Sequence, residues 1–436
     1  MSVPRTGAAG AADPAGRGDR AHRRIAVVRA LPGVGDLLCT LPALRALRAR
    51  HPGARVTLVG LPTAGWFVAR YPDLVDDLLV VDGVPGLPEV DADPSAALRF
   101  YATAHARRFD LAVQLHGDGR ASNPLTTMLG ARHQVTAYVP DTWQPPGTSI
   151  PYPAEGPEIH RLLAVVAAAG CPSVDDAVDM PLDPAEVAAA RALTRPAAGD
   201  GHRTTAGGAA SGNGAASGNG ATSVDGAAAD WGTARGNGVS AGAPYVCLHP
   251  GASRTGNRWP AAGFAAVGDR LAAAGFRVVL TGTIGERGVV AAVAQAMSAP
   301  VVDLCGCTSV GTLAAVFAEA RLVVSNDTGA AHVAAAVRSR SVVVFPAHGD
   351  PDRWAPLDRD RHVVVAPVPG ASRAPNDPWP ATGAVVAAAV DTVDVPAPPP
   401  PPASQVLRRR YPAPAAGPVE HPVARRSAGP VAGQEG

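Results

Sequence analysis

Short apolar runs alternate with amphipathic helical segments along two stretches of the chain. The apolar runs predict strands at residues 24–30, 55–60, 78–82 and 110–115 in the first stretch, and at 245–249, 277–281, 301–304, 322–325 and 341–345 in the second. Short, nearly continuous apolar strands that are separated by helices form parallel sheets covered on both faces. Each stretch is therefore predicted to be a doubly wound α/β domain of the Rossmann-like type.

Low-complexity sequence separates and flanks these two predicted domains. Residues 1–22 are rich in Gly, Ala and Arg, residues 197–243 consist largely of Gly, Ala, Ser, Thr and Asn, and residues 395–436 are rich in Pro and Ala. Segments with so few large apolar side chains cannot build a packed core, so all three are predicted to be disordered. The first domain is then expected at residues 23–196 and the second at residues 244–394.

The overall composition is that of a globular protein with almost no net charge. Hydrophobic residues make up 47% of the 436 residues, and the formal net charge is +1. The sequence contains no lysine, so all 38 basic residues are arginine. A charge this small gives no broad field that would hold nucleic acid, and the basic cluster Arg408–Arg410 supports at most a peripheral membrane contact. The expected partners are small molecules or polar groups on larger acceptors.

Cysteine usage and the lack of a targeting pattern predict a cytoplasmic protein. The five cysteines are scattered, with no CxxC pair and no zinc-like histidine spacing, which favours a reducing compartment. Residues 1–22 lack the apolar run of a secretory signal. Arg or Pro interrupts every apolar stretch before it reaches the ~20 residues of a membrane span.

The first candidate ligand-binding turn follows the first predicted strand. Gly33 and Gly35 permit a tight turn, and Asp36 occupies a helix-capping position before a helix expected near residues 36–50, in which Pro42 should bend the first turns. A catalytic role and a plain capping role for Asp36 both fit these residues. A dinucleotide fingerprint would require glycine at position 38, where leucine stands, so an NAD(P)-dependent oxidoreductase is disfavoured.

A second turn, at residues 249–260, follows the first strand of the second stretch. It offers the hydroxyl of Ser253 and the guanidinium groups of Arg254 and Arg258, which bind phosphate oxygens in a bidentate manner. The alternative is a solvated basic loop. After the next strand, Glu286 at a helix start could either cap that helix or accept hydrogen bonds from a ribose hydroxyl.

A third turn, at residues 322–332, carries the clearest pattern for binding an anion. Asn326, Asp327 and Thr328 are expected to cap the following helix, and Gly329 lets the backbone approach a ligand. His332 would lie one turn into the helix and face the same mouth. An ordinary capped strand-to-helix turn is the alternative.

A turn at residues 116–120, after the strand that ends at residue 115, is a candidate for acceptor binding. His116 and Arg120 could bind acceptor phosphate or sugar hydroxyls, with Asp118 between them. Surface turn residues without a functional role fit His116 and Asp118 equally well.

Four motifs in order resemble glycosyltransferase family 9, which contains the lipopolysaccharide heptosyltransferases. They are Gly35-Asp36 with Thr40-Leu-Pro-Ala-Leu-Arg45, His249-Pro-Gly-Ala with Arg258-Trp-Pro260, Ser325-Asn-Asp-Thr-Gly329 with His332, and Asp350-Pro-Asp-Arg-Trp354. The resemblance covers roughly residues 24 to 392 apart from the linker. It implies a GT-B fold, in which two Rossmann-like domains face each other across a cleft, and an inverting sugar transfer that needs no metal or other cofactor.

The resemblance also implies roles for individual residues. Asp36 matches the aspartate proposed in the family as the general base. Asp327, Thr328 and Gly329 match positions that contact the donor diphosphate and sugar, and Glu286 matches a glutamate near the donor nucleoside. The family often has a lysine immediately before the Arg-Trp pair, but here Asn257 occupies that position, and arginine cannot simply replace lysine at a phosphate.

The predicted function is transfer of a heptose or related sugar from a nucleotide-diphosphate donor, such as ADP-heptose, to a saccharide or glycolipid acceptor, as in lipopolysaccharide core biosynthesis. Two alternatives come from other classes. One is a nucleotide-sugar-binding protein without catalytic turnover, suggested by Asn257. The other is the nicotinamide-dependent oxidoreductase, for which residues 60–62 provide no acidic ribose ligand after the second strand.

Overall fold

The computed structural model describes residues 22–195, 243–368 and 378–394, which lie within one compact unit. Almost all of the segments predicted to be disordered, 1–22, 197–243 and 395–436, fall outside these described residues, and only His22 and Ala243 at their edges fall inside. The domain boundaries proposed from the sequence stay a prediction.

The first half of the chain forms a six-stranded parallel sheet with helices between the strands. Its strands are β1 (Arg24–Val28), β2 (Arg55–Gly60), β3 (Asp77–Val80), β4 (Leu111–Gln114), β5 (His133–Tyr138) and β6 (Thr148–Pro151), in the order β3-β2-β1-β4-β5-β6. Its helices are α1 (Val34–Leu38), α2 (Leu41–Arg50), α3 (Gly65–Arg70), α4 (Pro94–Arg107), α5 (Ser122–Met128), α6 (Glu158–Ala168) and α7 (Pro184–Thr194).

The second half forms another six-stranded parallel sheet. Its strands are β7 (Tyr245–His249), β8 (Arg277–Leu280), β9 (Val301–Asp303), β10 (Val323–Asn326), β11 (Ser341–Val344) and β12 (His362–Val365), in the order β12-β11-β10-β7-β8-β9. Its helices are α8 (Ala261–Ala273), α9 (Arg287–Ala296), α10 (Val310–Glu319), α11 (Gly329–Ala336), α12 (Pro351–Trp354) and α13 (Thr382–Asp394). The prediction of two doubly wound α/β domains is confirmed.

The helix expected near residues 36–50 is in fact two helices. α1 ends at Leu38, and α2 begins at Leu41 with Pro42 as its second residue. Proline has no backbone N–H to donate to the carbonyl of Leu38, so a continuous helix would lose that hydrogen bond, whereas the first turn of a new helix tolerates proline. The prediction of a single bent helix is therefore wrong, and α1 is a short, separate element.

One apolar core extends through both halves. It joins Leu37 and Leu44 of the first half to Phe317 and Val333 of the second, and all four side chains are buried. Because apolar area removed from water stabilises a fold in proportion to its size, this shared core holds the two halves together.

Helix α7 packs against the second half, although it follows the first half in the chain. It contacts α10, and Arg191 Nε on α7 donates a 2.6 Å hydrogen bond to Glu319 Oε1. Just before α7, the backbone N–H of Met180 donates to the carbonyl of Ala336 at 3.0 Å. The chain thus reaches the second half before residue 184.

Among the described residues, no helix has both the length and the apolar character to cross a membrane.

Candidate active site

Two strand-to-helix turns, one from each half, meet directly. α1 follows β1 and α11 follows β10, and each helix starts beyond the carboxyl end of its strand. A Cβ atom on Gly329 would lie 3.3 Å from the backbone N of Gly35, and a Cβ atom on Gly35 would lie 2.4 Å from Cδ2 of His332. Contact this close between α1 and α11 requires glycine at Gly35. Ligands of doubly wound sheets bind at such strand ends, so this junction is the candidate active site.

Asp36 lies in this junction, but it does not cap its helix as expected. The N-cap residue of α1 is Gly33, and Asp36 is the third residue of the helix. Its Oδ1 accepts a 3.1 Å hydrogen bond from Arg29 Nη2, and about a quarter of its side chain is exposed (24%). Burial raises the pKa of Asp36 above its ordinary value, although Arg29 opposes that shift. A partly exposed carboxylate with raised basicity suits a general base.

Arg29 is fully buried and binds Asp36 and Glu158 at once. Its Nε donates to the carbonyl of Asp36 at 3.2 Å, and its Nη1 donates to Glu158 Oε1 at 3.0 Å and to the carbonyl of Leu115 at 2.5 Å. Sequence reasoning missed both Arg29 and Glu158. The available signal was an arginine directly after the apolar run of β1, a position where a charge is buried only if it is paired.

Arg353 of α12 reaches from the second half to the same glutamate. Its Nε donates to Glu158 Oε2 at 2.9 Å, and its Nη2 donates to the hydroxyl of Tyr152 at 2.9 Å. Burial alone would raise the pKa of Glu158, but Arg29 and Arg353 outweigh it and hold that pKa below its ordinary value. The sequence had pointed to the motif around Arg353 without assigning this residue a role.

The turn before α11 differs from the expected capped turn. Thr328 is the N-cap residue, but its side chain makes no capping hydrogen bond. Asn326 is buried and uses its amide elsewhere: its Oδ1 accepts from the backbone N of Trp259 at 3.0 Å, and its Nδ2 donates to the carbonyl of Pro250 at 2.9 Å. The prediction that these side chains cap α11 is therefore wrong. Asn326 instead fixes the loop 250–259 beside the start of α11.

Asp327 stands beside a second carboxylate. Burial, with a further contribution from the nearby Asp350, raises its pKa to about 7. Its backbone N–H donates to the carbonyl of Val344 at 3.0 Å, so the turn is tied to β11. Near neutral pH this carboxyl group is divided between its protonated and ionised forms.

His332 is buried inside the junction of the two halves. It lies against Gly35, its Nδ1 is 3.7 Å from the Sγ of Cys39, and burial lowers its pKa to about 4. The imidazole is therefore neutral at physiological pH. The donor-binding role expected for His332 stays a prediction.

The basic loop of the second half presents its side chains to solvent. Ser253 and Arg254 are exposed, whereas Arg258 is half-buried, and its Nε donates to the carbonyl of Ala252 at 2.9 Å. Within the part of the chain that the structure describes, the terminal nitrogens of Arg258 make no hydrogen bond. Asn257, at the position of the family lysine, lies 3.0 Å from His348 Nε2 through its Oδ1.

Glu286 caps its own helical turn, one of the two roles expected for it. Its Oε2 accepts hydrogen bonds from the backbone N–H of Thr283 at 2.7 Å and from the hydroxyl of Thr283 at 2.9 Å. A Cβ atom on Gly251 would lie 2.2 Å from the Cδ of Glu286, so the carboxyl group rests on the backbone of the 249–260 turn. The structure thus brings Glu286 and this basic loop together.

The two acceptor candidates lie in different environments. His116 is buried, its Nδ1 accepts a 3.0 Å hydrogen bond from the backbone N–H of Ala30, and burial lowers its pKa to about 4. It is thus no surface turn residue. Arg120 is exposed and pairs with Asp118 at 3.2 Å. Sequence reasoning missed Glu89, whose buried Oε2 lies 4.0 Å from His116 Nε2 and has no hydrogen-bond partner among the described residues.

A cavity of about 300 Å³ is lined by residues of both halves, including His332. Cys39, Ile159, Ala335, Arg338 and His362 are among the residues that line it. Of the predicted site residues only His332 contributes to its wall, so this cavity is separate from the basic loop. No group of three or more metal-ligating side chains occurs within residues 22–195, 243–368 and 378–394.

Three solved structures share this fold. A family 9 glycosyltransferase from Veillonella parvula is 18% identical with a TM-score of 0.63, over 85% of this chain and 97% of that chain. The E. coli ADP-heptose LPS heptosyltransferase II is 16% identical with a TM-score of 0.57, over 85% of this chain and 98% of that chain. An E. coli heptosyltransferase solved with ADP is 19% identical with a TM-score of 0.51, over 79% of this chain and 93% of that chain. No curated protein sequence matches the chain.

Two doubly wound halves that meet at their strand-to-helix turns form a GT-B fold, which confirms the predicted fold class. Within that class, residues 173–376 match the model of glycosyltransferase family 9 (heptosyltransferase). The resemblance predicted from the four sequence motifs is therefore confirmed.

Proposed function

We propose that the protein transfers a heptose or related sugar from a nucleoside-diphosphate donor, such as ADP-heptose, to a hydroxyl group of a saccharide or glycolipid acceptor, with inversion at the anomeric carbon. The observation that carries this proposal is the contact of the Asp36 turn with the start of α11. That contact supports the proposal because it brings the turn of Asp36, our candidate base, close to the start of α11, our candidate diphosphate site. Two of the similar E. coli structures, an ADP-heptose heptosyltransferase and a heptosyltransferase solved with ADP, support this choice of donor.

The proposed base is Asp36, for both geometric and electrostatic reasons. An attacking hydroxyl group must lose its proton as it bonds to the anomeric carbon, and a carboxylate within hydrogen-bond reach accepts it. Arg29 orients the carboxyl group through Oδ1. The side chain remains partly exposed, so Oδ2 is the atom we assign to the acceptor.

The leaving diphosphate needs positive charge and hydrogen-bond donors. The first N–H groups of α11, around Thr328 and Gly329, have no partner within their own helix and can donate to an anion, which the helix dipole also favours. Arg258 and Arg254 lie on the adjacent loop, which Asn326 holds in place. We propose that these donors and arginines stabilise the negative charge on the departing phosphate without a metal ion. Transfer should therefore continue in the presence of EDTA.

A protein that binds the nucleotide sugar without turnover is the second candidate. The observation in its favour is Asn257, which stands where the family often has lysine and is hydrogen-bonded to His348. A neutral amide supplies no charge to the leaving group. Under this alternative the donor binds but no sugar is transferred.

The decisive experiment measures thermal stabilisation of the full-length protein by ADP-, GDP-, UDP- and dTDP-sugars, followed by a transfer assay with the donor that stabilises it. Stabilisation by one nucleotide class that Arg258→Ala abolishes is the expected result, because a ligand that binds only the folded state raises its apparent stability. Exposed Arg359→Gln is the matched control. Binding without transfer to any saccharide acceptor would support the second candidate, and no binding at all would contradict both.

A further inference from the structure

Four charged side chains of alternating sign run from the candidate base into the second half. Asp36 accepts from Arg29, Arg29 donates to Glu158, and Glu158 accepts from Arg353, with distances of 3.1, 3.0 and 2.9 Å. Arg29 and Glu158 are almost completely buried, at 0% and 1% exposure. The first three residues belong to the first half, and Arg353 belongs to α12 in the second.

We infer that Arg353 is a positioning residue for the reaction: by binding Glu158 it completes a chain of ion pairs that holds the Asp36 carboxylate ionised and correctly oriented when the two halves are together. This inference rests on the proposed role of Asp36 as the base. It goes further because it assigns Arg353 of the second half a role in preparing Asp36, the base of the first half.

The physical reason lies in the balance of charge around Glu158. A buried carboxylate is costly unless cations and hydrogen bonds compensate it. Arg29 alone must otherwise divide its charge between Glu158 and Asp36. When Arg353 binds Glu158 Oε2, together with the hydroxyl of Tyr152, Arg29 is left to neutralise Asp36.

Two other titratable groups beside α1 bring no comparable charge to Asp36. His332 of α11 is neutral because burial lowers its pKa to about 4, and the thiol of Cys39 is un-ionised because burial raises its pKa to about 12. Arg29 and Arg353 lower the pKa of Asp36, and Glu158 raises it. These directions determine whether each substitution raises or lowers the pKa of Asp36.

The test is a direct titration of Asp36 in the full-length protein, which needs no substrate. Aspartate carboxyl groups are labelled with ¹³C, and the Asp36 signal is assigned by its loss in Asp36→Asn. Removing the positive charge in Arg353→Gln should raise the pKa of Asp36 by about 0.5 to 1, and removing the negative charge in Glu158→Gln should lower it. Arg353→Lys, which keeps the charge, should titrate close to the unmodified protein.

The matched control is Arg359→Gln, which removes an equal charge from the same segment. Arg359 is exposed and donates to the carbonyl of Pro351 rather than to Glu158. It should leave the titration of Asp36 unchanged. Equal pKa values in Arg353→Gln and in the unmodified protein would overturn the inference. If Arg353→Gln fails to fold, an unchanged pKa in Glu158→Gln would overturn it just as well.

The kinetic counterpart distinguishes this inference from the proposed function. If the protein transfers sugar, the acidic limb of its pH–rate profile should move to higher pH in Arg353→Gln and to lower pH in Glu158→Gln. A merely structural contact would change the rate without moving the limb along the pH axis. Transfer with an unmoved limb would contradict the inference alone. Absence of transfer in the unmodified protein would contradict the proposed function, and the titration would still decide the inference.

Discussion

Asp36 and Asp327 are both partly buried carboxylates at the junction of the two turns, yet their surroundings give them different properties. Asp36 has a buried guanidinium 3.1 Å away, whereas burial and a second carboxylate, Asp350, act on Asp327 in the same direction. Asp36 is thereby suited to accept a proton in a reaction. Asp327 is suited to donate a hydrogen bond, because a protonated carboxyl group is a donor as well as an acceptor.

Replacing Asp36 by asparagine should abolish most of the transfer but spare donor binding. The amide cannot accept the proton, so we expect the rate of transfer to fall by ~10²–10⁴-fold. Thermal stabilisation by the donor should persist, because Asp36 belongs to the first half and the proposed donor site to the second. Asp73→Asn, at an exposed position of the same half, provides the control. Full transfer by Asp36→Asn would exclude Asp36 as the base.

Asp327 should make the protein less stable as the pH rises towards 8. Its pKa is about 7 in the folded protein against an ordinary value of 3.8, so the folded state retains a proton that the unfolded chain has released. The stabilisation that this proton provides is complete below about pH 4 and is lost as the pH rises through about 7.

Asp327→Asn, which stays neutral throughout, should therefore gain stability relative to the unmodified protein between pH 5 and pH 8. The expected gain is about 1–2 kcal/mol after allowance for partial exposure, and thermal unfolding at a series of pH values measures it. Exposed Asp73→Asn serves as the control. A constant difference between Asp327→Asn and the unmodified protein at all pH values would refute the raised pKa.

At the scale of elements, the α1–α11 contact depends on Gly35, because glycine has no side chain. Gly35→Ala would place a Cβ atom 2.4 Å from His332 Cδ2, so one of the two helices must move. We expect a loss of about 1–3 kcal/mol of unfolding free energy together with slower transfer, measured by urea unfolding and by the transfer assay. Gly65→Ala at the start of α3 has open space around it and should be tolerated. Equal stability of the two variants would show that the contact is not tight.

The strands most visible in the sequence are those at the centre of each sheet. β1, β4, β7 and β10 are buried along almost their whole length, each contains a run of apolar residues, and they coincide with predicted strands. β5, β6 and β12 were not predicted. β5 and β6 mix polar with apolar residues, which leaves no such run, whereas β12 contains the run Val363–Val365, which sequence reasoning missed. The turns that carry the site were predictable because glycine, aspartate and threonine follow the central strands.

The ion-pair chain could not be predicted in the same way. Arg29 and Glu158 are 129 residues apart, and Glu158 and Arg353 are 195 apart. No local pattern specifies which distant carboxylate will meet a given arginine, because that depends on how the two sheets pack. Position along a strand shows that Arg29 needs a partner, but not which one.

At the scale of the whole molecule, the shared core predicts that the two halves unfold together. Leu37 and Leu44 pack in the same buried cluster as Phe317 and Val333, so neither half can unfold without exposing apolar surface of the other. Differential scanning calorimetry should show one transition, with calorimetric and van't Hoff enthalpies that agree. The donor nucleotide should move that transition as a unit. Two separate transitions would show that the halves are energetically independent.

Helix α7 makes the relative position of the two halves independent of the length of the segment that follows it in the chain. Because α7 is already docked on α10, the polypeptide has joined the second half before the Gly- and Ala-rich stretch at residues 197–243 begins. The spacing between Asp36 and Thr328 is then set by packed helices rather than by the length of that stretch. The stretch can therefore become longer or shorter, or acquire repeats such as the two copies of Ala-Ala-Ser-Gly-Asn-Gly at residues 209 and 215, without altering that spacing.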